Sequence, residues 1–135
     1  MSDGLTEQII GMAIAVHREL GPGLLESTYE ACMAYEMTER GLPFVRQKPL
    51  SVVYKNKKID GYRIDFLVAD SIIVEIKSIE RMDAIHAAQI LTYLKLSGCR
   101  IGLLINFNVP LLKDGIRRFV NGFERKPQRP QRPRW

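Results

Sequence analysis

Two strand-like runs, Ile59 to Val68 and Ile72 to Lys77, are separated only by Ala69-Asp70-Ser71, and a link that short joins antiparallel neighbours. If Val68 and Ile72 flank a three-residue turn, partners across the hairpin have residue numbers summing to 140. Phe66 then faces Val74, Asp65 faces Glu75 and Ile64 faces Ile76. One face of the hairpin is wholly apolar, and the other carries Arg63, Asp65, Glu75 and Lys77. A two- or four-residue turn would set a different register, and the sequence alone leaves that choice open.

The rest of the chain arranges itself around this hairpin. Apolar residues at Leu5, Ile9, Met12, Ala13, Val16 and Leu20 form one stripe of an amphipathic helix, which Gly21-Pro22-Gly23 ends. A second helical pattern runs from about Leu25 to Arg40 (Leu25, Tyr29, Cys32, Met33, Tyr35, Met37) and closes on Gly41. A strand from Phe44 to Tyr54, interrupted by Pro49, precedes the hairpin, with Lys55-Asn56-Lys57-Lys58 as the turn between them. Asp83 is the expected N-cap of a helix running to about Leu96, before Gly98. Arg100 to Asn106 is apolar without alternation, the pattern of a strand buried on both faces. Asn108-Val109-Pro110 is expected to open a last helix, reaching about Val120. The order α-α-β-β-β-α-β-α predicts an α/β fold with a mixed central sheet flanked by helices.

A chain of 135 residues that is 46% hydrophobic can build one ordinary core, so a single domain over residues 1–123 is expected. No apolar run approaches the roughly 20 residues of a membrane helix, and Met1-Ser2-Asp3-Gly4 does not resemble a secretory signal. A cytoplasmic protein without membrane association is the expectation. Cys32 and Cys99 lack a partner at metal-ligand spacing and read as small packing residues. Of 20 Lys and Arg residues and 15 Asp and Glu, residues 124–135 hold five and one. The domain itself is therefore close to neutral, and the Pro/Arg-rich tail reads as a disordered or polyproline-like arm.

Opposed residues in an antiparallel pair have Cβ atoms about 5 Å apart, and two like charges there are destabilising unless something compensates. A divalent cation compensates Asp65 and Glu75. Mg²⁺ keeps several waters and takes one or two protein carboxylates, so this pair suits it, with Mn²⁺ as the expected substitute. Lys77, two residues from Glu75 on the same face, places an ammonium where charge grows on a phosphate under attack. Arg63 is a candidate substrate contact on that face. The competing interpretation is an exposed strand face with an ordinary Glu-Lys pair.

Two further features favour chemistry. Gln89 and Tyr93 stand at i, i+4 on the helix after the hairpin, with His86 three residues before Gln89. Glu26 lies in the first turn of the second helix, where the helix dipole also favours a carboxylate. For His86 a plain helix-edge role is preferred, and His17 is expected to pack between helices or to support the site from behind rather than to act in catalysis. The segment Gly23-Leu24-Leu25-Glu26-Ser27-Thr28-Tyr29 resembles the signature of the GxxExxY family, small bacterial and archaeal proteins assigned to the PD-(D/E)XK nuclease superfamily. The likeness covers about residues 5–122, including Gly61-Tyr62-Arg63-Ile64-Asp65 and Leu103-Leu104-Ile105-Asn106-Phe107.

That resemblance implies a restriction-endonuclease-like αβββαβ core with an extra N-terminal helix. It implies Asp65 and Glu75 as metal ligands, joined by the Ile76 backbone carbonyl and by Glu26. Lys77 would act on the attacking water, while Gln89 and Tyr93 resemble the Q-x-x-x-Y motif of RecB-like members that contacts DNA. Ile64 stands where the superfamily pattern has Pro, a departure that removes no ligand. The function implied is metal-dependent hydrolysis of nucleic-acid phosphodiesters, with DNA favoured over RNA and with a homodimer or partner protein as a plausible assembly. The rival is a noncatalytic module that binds nucleic acid through the tail and Lys55, Lys57 and Lys58, or binds protein through the proline-rich tail.

Overall fold

The structure, a computed structural model, describes residues 2–122; the basic tail expected over 124–135 lies outside the described residues. Two helices, α1 (Ser2–Leu20) and α2 (Glu26–Glu39), lead into strands β1 (Phe44–Tyr54), β2 (Lys57–Val68) and β3 (Ile72–Lys77). Helix α3 (Ala84–Ser97), strand β4 (Ile101–Asn106), a 3₁₀ turn over Leu112–Gly115 and strand β5 (Ile116–Val120) complete the chain. The five strands lie in sequence order in one sheet. All neighbours are antiparallel except β3 and β4, which are parallel and connected through α3. This is the mixed sheet flanked by helices that the restriction-endonuclease-like expectation called for.

The helical stripes seal one face of the sheet. Ile9, Met12, Ala13 and Val16 of α1 and Tyr29, Met33 and Met37 of α2 pack with Phe66, Val68, Ile72, Val74, Ile76, Leu103 and Ile105. Leu20, Leu25 and Tyr35, counted in those stripes from sequence, are exposed. The other face is covered by α3, whose Ile90, Tyr93 and Leu94 pack on Ile64, Leu67, Ile73 and Leu104. Strand β4 is buried at all six positions, which explains its unbroken apolar run. Burying a single such Ile or Leu is worth about 1.5–3 kcal/mol, so this two-sided core is what holds β3 and β4 rigid. Among the described residues, no helix is long and apolar enough to cross a membrane.

The segment after Asn108 differs from the expectation. Instead of a helix to Val120, it makes one 3₁₀ turn and then pairs as β5 with β4, from Ile105↔Ile116 to Ile101↔Val120. The spacing of Leu112, Ile116, Phe119 and Val120 suits either a helix or a strand. The outer edge of an all-apolar strand decides it, because unpaired backbone groups there would be costly to bury. The turn is tight at Gly115, where an added Cβ would lie 2.1 Å from the Asn106 carbonyl oxygen. Gly115→Ala is expected to lower stability by ~2–3 kcal/mol in urea unfolding, because backbone and not a flexible side chain has to move.

Other boundaries shift less. The turn expected over residues 55–58 is confined to Lys55 and Asn56, both left-handed, so β2 starts at Lys57. Pro49 is accommodated inside β1 because β1 is an edge strand. Cys32 and Cys99 are free and partly buried.

Candidate metal and phosphate site

The turn at residues 69–71 sets the register expected from sequence: Val68↔Ile72, Leu67↔Ile73 and Phe66↔Val74 are paired. The ladder stops there. At the next position the two carboxylates replace backbone carbonyls as acceptors. The Asp65 N–H donates to Glu75 Oε2 at 2.8 Å, and the Ile76 N–H donates to Asp65 Oδ2 at 2.8 Å. Asp65 and Glu75 therefore face one another across a gap between β2 and β3 and satisfy the donors that the gap leaves open.

The gap is matched by a break in β1. Gln47 takes φ 54°, a conformation unfavourable for a residue with a side chain, and no backbone pair forms between it and Asp65. Its amide Nε2 reaches Asp65 Oδ1 at 3.2 Å and both carboxylate oxygens of Glu30 at 3.1 and 3.0 Å. The Arg46 guanidinium adds a 2.8 Å ion pair to Glu30. This break also corrects the expected faces of the hairpin. Ile64 does not share a face with Phe66 and Ile76 but packs under α3 with Leu67 and Ile73. Tyr62 is thereby brought near Tyr93, and strand alternation puts Arg63 on the side away from α3 rather than beside Glu75 and Lys77. Arg63 is exposed, and the charges that act on Asp65 are those of Glu30 and Lys77.

Helix α2 approaches from one side. Its loop is fixed by Tyr29, whose buried hydroxyl donates to the Gly21 carbonyl oxygen and accepts from the Leu24 N–H, while its ring stacks on Phe107 with centroids 4.4 Å apart. Ser78 Oγ donates to the Leu24 carbonyl oxygen at 2.6 Å, tying the loop to the exit of β3. Glu26 is exposed in the first turn of α2, close enough for its charge to act on Glu75. Helix α3 approaches from the other side with Tyr93, and Gln89, one turn earlier, is near enough to act on its phenol. The loop between β3 and α3 is clamped by buried Asn106, whose side chain accepts from the Ile79 N–H and donates to its carbonyl oxygen. His86 Nδ1 accepts from the Asp83 N–H and so serves the helix start, while buried His17 bonds the Val109 carbonyl oxygen through Nε2.

Electrostatics mark the pair as short of positive charge. Burial, and then the neighbouring Asp65 carboxylate, push the Glu75 carboxyl up to about 8, with Lys77 and the Asp65 N–H opposing. Burial also raises Asp65, with Glu30 adding to the rise. The Tyr93 phenol is pushed up by burial and by both carboxylates, so it stays a neutral donor. Among the described residues, no three His, Cys, Asp or Glu side chains stand together as a ready-made metal cage. A carboxylate pair of this kind, Glu75 buried and Asp65 half-buried, does fit a cation that takes one or two protein carboxylates and keeps its waters.

The site brings together Asp65, Glu75, Lys77, Glu26 and Tyr93 with Gln89, and leaves Arg63 aside. Glu30 and Gln47 were not singled out from sequence. Glu30 stands one helical turn after Glu26, a spacing that marks a shared face and was available as a signal. A sequence model described as the PD-(D/E)XK nuclease superfamily matches residues 3–119. No curated protein and no solved structure matches the chain.

Proposed function

The chain belongs to the PD-(D/E)XK nuclease superfamily, and from that premise we propose that it is a metal-dependent nuclease acting on DNA, with Asp65, Glu75 and Lys77 at its centre. The observation that carries the reading is the meeting of a buried carboxylate, Glu75, with the half-buried carboxylate of Asp65 in the gap between β2 and β3, with Glu75 pushed up to about 8. Protein interiors tolerate such a pair when a cation joins it. We also place the chain in the GxxExxY branch, on Gly23, Glu26 and Tyr29, with residues 1–123 as the nuclease unit and the basic residues of 124–135 adding salt-sensitive attraction to phosphates.

Asp65 and Glu75 would hold Mg²⁺, or Mn²⁺ in its place, with Glu26 joining through its charge. The Ile76 carbonyl fits the same role. A strand residue points its N–H and C=O to one side, and the Ile76 N–H points at Asp65, so its carbonyl opens into the same gap. Bound there, the metal would supply a Lewis acid for the phosphate and lower the pKa of a water. Lys77 then offsets the charge that develops on the phosphate oxygens. Tyr93, kept neutral, and Gln89 are donors to a phosphate on the α3 side. Glu30 holds Gln47, and Gln47 fixes the Asp65 carboxylate; both are positioning residues.

The test is cleavage of a panel of single- and double-stranded DNA and RNA with Mg²⁺ or Mn²⁺ and with chelator. Metal-dependent cleavage is expected, reduced ~10²-fold or more in Lys77→Ala. Calorimetric titration with Mn²⁺ should show binding to the wild type and not to Glu75→Ala. Folded protein that binds no divalent metal and cuts nothing on the panel overturns the reading.

A further inference from the structure

Strands β1 and β2 are longer than the sheet requires. They pair with each other from Phe44↔Val68 to Tyr54↔Lys57, whereas β3 accompanies β2 only at residues 66–68. Beyond Asp65 the pair is a two-stranded ribbon. Leu50 and Ile64 still pack under α3, but every residue from Val53 to Arg63 is exposed. The ribbon leaves the sheet from the carboxylate end, because Asp65 is where β2 parts from β3.

An uncovered two-stranded ribbon is marginal in water on its own, and its composition suggests what covers it. Val53 and Tyr54 are 68% and 61% exposed, and Ile59 and Tyr62 are also solvent-facing. Lys55, Lys57 and Lys58 crowd the tip, with Lys48 and Arg63 nearer the base and only Asp60 opposing, itself bonded by Ser51 Oγ. The Lys55 ammonium stands 5.4 Å from the centre of the Tyr54 ring. Lys55 and Asn56, at φ 48° and 70°, make the tight two-residue turn whose twist matches that of the strands, so the tip has a defined shape.

We propose that this ribbon is a groove-reading arm for duplex DNA. It extends the nuclease reading of the Asp65–Glu75 site and can stand or fall apart from it. The chemistry required is a polyanion with a trough that admits a two-stranded ribbon. The B-DNA major groove, about 12 Å wide, admits a two-stranded β-ribbon, whereas the A-form major groove of duplex RNA is too deep and narrow for side chains to read. Lys58 is seven residues from Asp65 along one strand, at most about 23 Å at the rise of a β-strand, because a bulge at Asp60 and Gly61 bends it. That is up to about seven base pairs of B-DNA from the carboxylates, so the arm contacts the duplex on one side of the cut. The lysines neutralise phosphates at the groove edges, and the aromatic rings sit against the sugar and base edges between them.

Binding is measured by fluorescence anisotropy with the full chain in chelator, so that nothing is cut. The probes are a DNA duplex, its single strand and an RNA duplex of the same sequence, over a salt series. The variants are Lys55→Ala/Lys57→Ala/Lys58→Ala and, as an equal charge change elsewhere, Lys95→Ala/Lys113→Ala/Arg117→Ala, each checked by circular dichroism. The wild type is expected to prefer the DNA duplex. The ribbon variant should lose roughly tenfold or more of that affinity, and its log–log salt slope should shrink by ~2–3. Equal losses in the two variants, or equal affinity of the wild type for all three probes, overturns the proposal. Binding that depends on the ribbon lysines in a chain that never cleaves would sink the nuclease reading and leave the arm. Cleavage with unchanged KM in the ribbon variant would sink the arm alone.

Discussion

Glu75→Gln is expected to make the metal-free protein more stable at pH 8 while removing cleavage, a combination that a merely structural glutamate would not produce. The folded Glu75 carboxyl is pushed up to about 8 from 4.5, first by burial and then by Asp65. Below the lower value the group is protonated in both the folded and the unfolded chain and favours neither. Between the two, the unfolded chain gives up its proton and the folded chain keeps it, so stability falls as pH rises, and it levels off above 8. Each pK unit is worth about 1.4 kcal/mol, which brings the whole loss to a few kcal/mol. Glutamine cannot ionise and can still accept the Asp65 N–H. The variant's stability in chelator should therefore fall much less between pH 5 and 8. Some slope remains, because burial and Glu30 also raise Asp65. Adding Mn²⁺ should restore the wild type at pH 8 and do little for the variant, and cleavage should drop ~10³-fold or more. Parallel pH–stability curves for the two proteins in chelator would remove the premise that the pair is short of positive charge.

Much of this site could be read from sequence because a three-residue turn and alternating strands leave few registers. The pairing of Phe66 with Val74 follows, and the opposition of Asp65 and Glu75 comes with it. The backbone irregularity that turns the opposition into a gap could not be read. Gln47 has no sequence signature for a left-handed conformation, and neither does the flip of Ile64 toward α3 that accompanies it. Arg63 was misplaced for that reason. Strand β5 was hidden because Ile116, Phe119 and Val120 satisfy two periodicities, and only the neighbouring edge of β4 selects one. Glu30 was missed although its spacing from Glu26 announced it; its role becomes visible only once β1 brings Arg46 and Gln47 to it.

Tyr29→Ala is expected to cost ~3–5 kcal/mol in urea unfolding, the range for deleting a fully buried aromatic side chain. Tyr29 does two things at once, and Tyr29→Phe separates them. The ring stacks on Phe107 and packs beside Met33 and Met37 of α2, which is a matter of stability. The hydroxyl bonds the Gly21 carbonyl oxygen and the Leu24 N–H, which fixes the loop from which Glu26 emerges two residues later. Phenylalanine keeps the stacking and removes both bonds, so only ~1–2 kcal/mol should be lost. Two backbone groups of the loop then lose their anchor, while the Ser78 bond still ties it to β3. The proposed contribution of Glu26 to the metal should weaken as its position loosens. A Mn²⁺ affinity reduced several-fold in Tyr29→Phe, in a protein whose circular dichroism is unchanged, is the expected signature. The same affinity in both proteins would make Tyr29 a packing residue only. The glycine-to-tyrosine stretch would then be a device for docking α2, with Glu26 in it for the helix dipole. On the geometry seen here the two halves of the motif act on one another. Gly23, at φ 100°, lets the chain turn, Tyr29 locks the turn, and Glu26 is carried to the mouth of the gap where Glu75 feels its charge.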